Sequence, residues 1–289
     1  MTMNRVINWW IKGMLLAGLL LLAGVAEAVE VNSAQGLANA KGFKGNVTLS
    51  GNTVTLTRDV TLSEALTIID GSIILDLGGK TITNKKGFEI KGKTAEIQLK
   101  NGTIKNEEKI SVIVSEGNLL LQDGISIQSS YFSLFSRFTS KAILIQGGSV
   151  TMNGGEIKTE SSTDETIGVQ ITSGSFSMNK GRIEALSTVG NAYKATGIKI
   201  EGGKDNVQLK GGTITGDNNT YDSDYAISSN QPLSSICVRG YGVYKDEVLQ
   251  SMTSTEAKNT VKIKPISYNF NCDLNGGTIT SGTQPDLTY

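Results

Sequence analysis

The sequence predicts an all-β solenoid: a single-stranded parallel β-helix of about eight to nine three-strand coils behind an N-terminal helical cap. Three observations carry that expectation. A six-residue phrase returns with one skeleton, as "LKNGTI" (99–104), "MNGGEI" (152–157), "LKGGTI" (209–214) and "LNGGTI" (274–279). Two short segments with period-2 alternation precede each phrase, as in "GFEIK" (87–91) then "IQL" (97–99), or "AILIQ" (142–146) then "VTM" (150–152). Finally, 34 Gly against 3 Pro in a chain rich in Thr, Ile and Val describes short strands joined by tight bends.

The elements follow in order. Arg5 and Lys12 precede the apolar run from Met14 to Val25, and Ala26-Glu27-Ala28 closes it. A basic start, a short apolar stretch and an A-x-A site describe a signal peptide over 1–28, too short for a membrane span. The expected location is secreted or cell-surface. Residues 29–45 read as the cap, with Asn32 or Ser33 ready to start a short helix. Residues 46–289 read as the β-helix. Within it an apolar leader is followed five positions later by Ile or Val: Leu77/Ile82, Leu99/Ile104, Met152/Ile157, Met178/Ile183, Leu209/Ile214, Val238/Val243 and Leu274/Ile279. Leu121 breaks the rule, landing on Ser126 between Ile125 and Ile127. The residues between leader and follower, such as Asn101-Gly102 and Gly154-Gly155, tolerate the positive φ of a sharp bend. An antiparallel sandwich also shows short strands and turns, but it does not explain a three-strand unit with a fixed offset. No covering element is evident after Ile279. The sequence therefore leaves room for end-to-end self-association, or for a further segment or partner on that edge.

Parity assigns the faces. In the first strands Phe88, Ile90, Val112, Val114, Ile143, Ile145, Val169, Ile171, Ile198 and Ile200 read inward. Glu89, Ile113, Leu144, Gln170, Lys199 and Glu201 read outward. The longest insertions join the third strand to the next first strand and overhang that outward face. Formal net charge is zero, which argues against a phosphate-neutralising nucleic-acid binder. With no His, the commonest general base and transition-metal ligand are missing. Of the two cysteines, Cys272 aligns with inward Val207 and Cys237 with outward Gln208, so the expectation is two unpaired thiols.

On the phrases "LDLGGKTI", "LKNGTI" and "VQLKGGTI", the chain from about Val47 to Ile279 resembles the right-handed parallel β-helix, or pectate-lyase-like, superfamily. In character it is most similar to secreted adhesin-like β-helix repeat proteins. The resemblance implies that the outward first-strand face, walled by loops, is where a polysaccharide or surface glycan would lie. It also brings the alternative of a polysaccharide lyase or glycoside hydrolase. The hydrolase pattern in that superfamily includes a Gly-His-Gly, which a chain without His lacks. Glycosidases need two carboxylates about 5–10 Å apart, whereas Glu89 and Glu201 sit four coils apart, about 19 Å. The sequence therefore favours a non-catalytic binder, with a stacking structural subunit as a further alternative. Its candidate ligand-binding residues are Tyr131, Phe132, Phe135, Arg137 and Phe138 in one insertion, with Tyr193, Lys199 and Tyr221 along the same side. Asp217, Asn218, Asp222 and Asp224 form an oxygen-rich loop suited to Ca²⁺, though a solvated acidic loop fits the spacing as well. No other cofactor is expected.

Overall fold

The computed structural model describes residues 28–107, 109–132, 138–162, 165–188, 194–202, 206–217, 224–267, 273–274 and 277–278. The chain winds into a parallel β-solenoid of about six coils. The first strands are Leu66–Ile68, Phe88–Ile90, Ile110–Val114, Thr139–Ile145, Glu165–Ile171 and Lys194–Ile200, hydrogen-bonded in that order and all parallel. Second and third strands run unbroken through their bend in Ser72–Asn84 and Glu96–Asn106. They separate in Asn118–Leu121 with Ile125–Tyr131, and likewise in the three coils that follow.

Inward residues stack in register. Leu75, Leu99, Leu121, Met152, Met178 and Leu209 form one column. Ile82, Ile104, Ile127, Ile157, Ile183 and Ile214 form another. All twelve are buried, and each such side chain contributes roughly 1.5–3 kcal/mol. One expectation needs correction here, and the exception at Leu121 finds its reason. The first unit's leader is Leu75, not Leu77, because a bulge carrying Gly78 and Gly79 at positive φ adds two residues to that bend. In the third unit Ile127 takes the follower's place, since its bend is one residue longer.

Coils end earlier than the repeat suggested: six, not eight or nine. After Tyr225–Ser229, Pro232 stands where a second strand would begin. It has no N–H to give a ladder, and it opens a single helical turn, Leu233–Ile236. The chain then reverses. Thr260–Pro265 runs antiparallel to the last third strand, and Tyr241–Lys245 pairs antiparallel with it. Glu256–Lys258 runs antiparallel to Tyr225–Ser229. Val243 therefore belongs to an antiparallel strand, and Leu274 pairs locally with Gly277. The edge that looked bare in the sequence is covered by the chain itself.

At the other end Val29–Val31 pairs with Leu66–Ile68, and the helix Ala34–Asn39 follows. Ser33, with extended backbone, caps it by accepting a hydrogen bond from the Gly36 N–H at 3.0 Å. Leu37 and Phe43 close the bottom of the core.

Cys237 also departs from its expected register. It bridges to inward Leu209, is buried and free, and burial pushes its thiol up to about 11. The helical turn before it replaces the strand on which the outward alignment depended. Cys272 lies outside the described residues, as do residues 1–27 of the expected signal peptide. Among the described residues, no helix is long and apolar enough to cross a membrane.

Candidate functional site

The first strands of the fourth to sixth coils are longer than their apolar core segments require. Thr139, Glu165 and Lys194 extend them backwards, and third strands extend forwards to Tyr131, Ser161 and Ser187. Between the extensions small side chains face each other: Ser129 with Ser140 at 3.1 Å, then Thr159, whose Oγ1 donates to the Ile167 carbonyl at 2.8 Å. Alternation is reset where Ala142, Gly168, Gly197 and Ala226 sit, so that two successive residues, such as Ala142 and Ile143, are both buried. A side chain larger than hydrogen at Gly168 or Gly197 would meet the next strand's carbonyl at 2.6–2.7 Å. These small residues let the wall bend and carry the extension beside the outward face.

Outward residues of the same strands are less open than parity alone implies. Leu144 and Gln170 are both 8% exposed, yet Leu144 is not part of the internal core cluster. It packs from outside, in ladder register with Ile113 and Gln170. Around Gln170 the structure assembles a charged cluster. Gln170 Nε2 donates to Glu201 at 2.5 Å, and Lys199 Nζ lies 2.8 Å from Glu165 and 3.0 Å from Glu201. Because one nitrogen touches both acids, a carboxylate oxygen of each is held within about 6 Å of the other. Burial pushes the Glu201 carboxyl up, but Lys199 and Gln170 outweigh it and hold it below the ordinary carboxylate value. Burial likewise pulls Lys199 down, and its two acids more than reverse that. Lys141 differs. Burial lowers it, Glu165 and Glu201 only partly compensate, and it forms no ion pair with a described residue.

Ladder register brings one aromatic residue, Phe138, next to this cluster. Thr139 is the ladder partner of Glu165, and Phe138 precedes it, 45% exposed, with Lys109 Nζ 3.3 Å from its ring centroid. Phe132 is 60% exposed at the end of the opposing third strand, whereas Tyr131 is half-buried in the ladder beside Ser161. Phe135, Arg137, Tyr193 and Tyr221 lie outside the described residues.

Of the acidic loop, Asn218 and Asp222 also lie outside. Asp217 ends the last third strand, half-buried. Asp224 is buried, and its Oδ1 accepts the Ala195 N–H at 2.9 Å, so this carboxylate supports the neighbouring strand. No group of three metal-binding side chains occurs among the described residues.

Sequence reasoning found Lys199, Gln170 and Glu201 but missed Glu165 and Lys141. Both precede the glycine or alanine that resets alternation, so a period-2 reading stops short of them. No family model, curated protein or solved structure matches this chain.

Proposed function

We propose that this is a secreted, non-catalytic, adhesin-like β-helix protein that binds glycans or cell surfaces. The contact surface would be the outward face of its first strands and the adjoining corner. The observation that carries the reading is the adjacency of an exposed ring to a hydrogen-bonding cluster. Phe138 stands one residue from the ladder partner of Glu165, which with Lys199, Glu201 and Gln170 forms a polar floor. A flat apolar face beside fixed donors and acceptors is what a sugar ring requires, since it stacks one face and hydrogen-bonds its edge.

The spacing of Glu165 and Glu201 also suits a glycosidase pair. Two features weigh against that use. Lys199 occupies the space between the acids where a scissile bond would lie, and Glu201 is held on the ionised side, opposite to a general acid.

Glycan-array binding followed by titration calorimetry tests the proposal. In a Phe132→Ala/Phe138→Ala variant, binding should weaken about tenfold or more while melting temperature holds, because both rings are exposed. Unchanged binding with lost stability would retire the rings as a contact surface. Release of reducing ends or unsaturated products from polysaccharides would revive the enzymatic alternative.

A further inference from the structure

We infer that the bend at Asn153–Gly154 is a site of spontaneous covalent modification, where the chain converts its own side-chain amide to an acid through a cyclic imide. This stands apart from glycan binding and does not depend on it. Asn-Gly pairs occur at 101–102, 153–154 and 275–276, and the last lies outside the described residues. The pair suits this chemistry because a glycine nitrogen has no side chain beside it to hinder attack on the preceding amide carbon. The fold treats the two described pairs differently. Asn101 sits inside Glu96–Asn106, a strand that runs unbroken through its bend, with its backbone in the left-handed region at φ 57°. The Gly102 N–H, the group that would attack, donates to the Gly124 carbonyl at 2.8 Å. Asn101 Nδ2, the group that would leave, donates to Asp76 at 3.2 Å. Asn153 instead falls between strands, after Ser149–Met152 and before Glu156–Ser161. The Gly154 N–H makes no hydrogen bond to a described residue. Asn179 Nδ2 donates to Asn153 Oδ1 at 2.7 Å, which draws electrons from the amide carbon and supports the charge its oxygen gains under attack. Packing rather than φ fixes glycine at 154, since a Cβ there would fall 1.8 Å from Asp123 Oδ1. The fold thus keeps an unhindered nitrogen next to a polarised amide.

The step needs no co-reactant but water. Gly154 N gives its proton to solvent and bonds to Asn153 Cγ. The Cγ–Nδ2 bond then breaks, and the nitrogen takes a proton from solvent and leaves as ammonia. Water opens the imide ring at either carbonyl, so that position 153 becomes aspartate or isoaspartate. Either product adds a negative charge one coil from Asp123, whose own charge Lys180 meets at 2.6 Å. The isoaspartate form also lengthens the main chain of the bend by one atom.

The test holds the mature chain, folded and in urea, in mildly alkaline buffer made with heavy-oxygen water, and maps its peptides by mass spectrometry over time. Modification reads as the mass gain of an amide turned to an acid carrying one heavy oxygen. In the folded protein Asn153 should react at least about tenfold faster than Asn101. Asn101 is exposed and Asn153 half-buried, so exposure alone predicts the reverse order. In urea the two rates should converge, because the hydrogen bond that engages the Gly102 N–H is gone. Asn179→Ala, checked for folding by a melting curve, should slow Asn153 about fivefold, the effect of roughly one hydrogen bond to the reacting oxygen. If that variant fails to fold, the comparison of the two sites in the wild type decides alone. Equal rates at Asn101 and Asn153 in the folded protein would overturn the inference. So would an inert Asn153 where the unfolded chain reacts, or faster reaction in a folded Asn179→Ala.

Discussion

At the scale of single residues, most inward side chains were legible because period 2 is enforced by burial on one side of a strand. Leu99, Met152, Met178 and Leu209 were read correctly because each has an apolar neighbour two positions away and a glycine bend after it. Leu77 was taken for the leader in place of Leu75, and Leu121 stood as an unexplained exception, because bends one or two residues longer leave no trace in hydropathy. The polar interior of the extended corner was not legible, since Ser and Thr look like surface residues. Here Thr166 Oγ1 and Ser187 Oγ are buried with no hydrogen-bond partner among the described residues, whereas Thr159 Oγ1 bonds to Ile167. The two threonines therefore respond oppositely to a near-isosteric change. Thr166→Val removes an unpaired buried hydroxyl and should stabilise by about 1 kcal/mol, while Thr159→Val breaks a made bond and should cost about that much. The midpoint of urea unfolding reads both. Equal destabilisation by the two would show that Thr166 is satisfied.

Among the elements, the corner between first and second strands explains why glycine recurs there. Gly117, Gly148 and Gly174 all have positive φ. Carbonyls at this corner accept the next coil's N–H, as Ala95 does from Asn118, Gly117 from Ser149 and Gly148 from Ser175. Each glycine thus sits against the carbonyls of the coil below. A Cβ on Gly117 would fall 2.5 Å from the Gly92 oxygen and 2.7 Å from that of Ala95. Gly45 has a similar φ of 79° but open space where a Cβ would go. Gly45→Ala should therefore cost only backbone strain, about 1–2 kcal/mol. Gly117→Ala adds displacement of the ladder and should cost at least about 2 kcal/mol more. Similar losses for the two variants would mean that φ alone fixes these glycines. The sequence marked such bends well, as glycine is the residue a left-handed turn demands. It gave no sign of which glycines face a carbonyl.

Viewed as a whole molecule, the solenoid was legible in class and wrong in length. Repeat-like phrases near Val243 and Leu274 satisfy the hydropathy rule without coiling, because Pro232 and the reversal after it send the chain antiparallel. Both ends of the parallel stack are treated alike. Val47–Ser50 folds antiparallel onto Thr53–Leu56 at one end, and Glu256–Lys258 with Thr260–Pro265 lies antiparallel on the other. An exposed parallel edge is a template for another chain, and these strands occupy it. Ending the chain after Leu249 would bare Gly212–Thr215 and Tyr225–Ser228, so the truncated protein should form higher oligomers where the full chain does not. Light scattering at matched concentration checks this. A monodisperse truncated protein of unchanged size would show that the covering strands are dispensable. Between those ends the inward columns repeat in register from coil to coil, as Leu121 stacks over Leu99, while bends and corner extensions vary. A tandem duplication or loss of one such cassette would create a seam that the neighbouring coils already know how to pack. Adding or removing one whole coil would therefore change the length of the molecule while leaving both terminal covers and the three coils of the charged patch as they are.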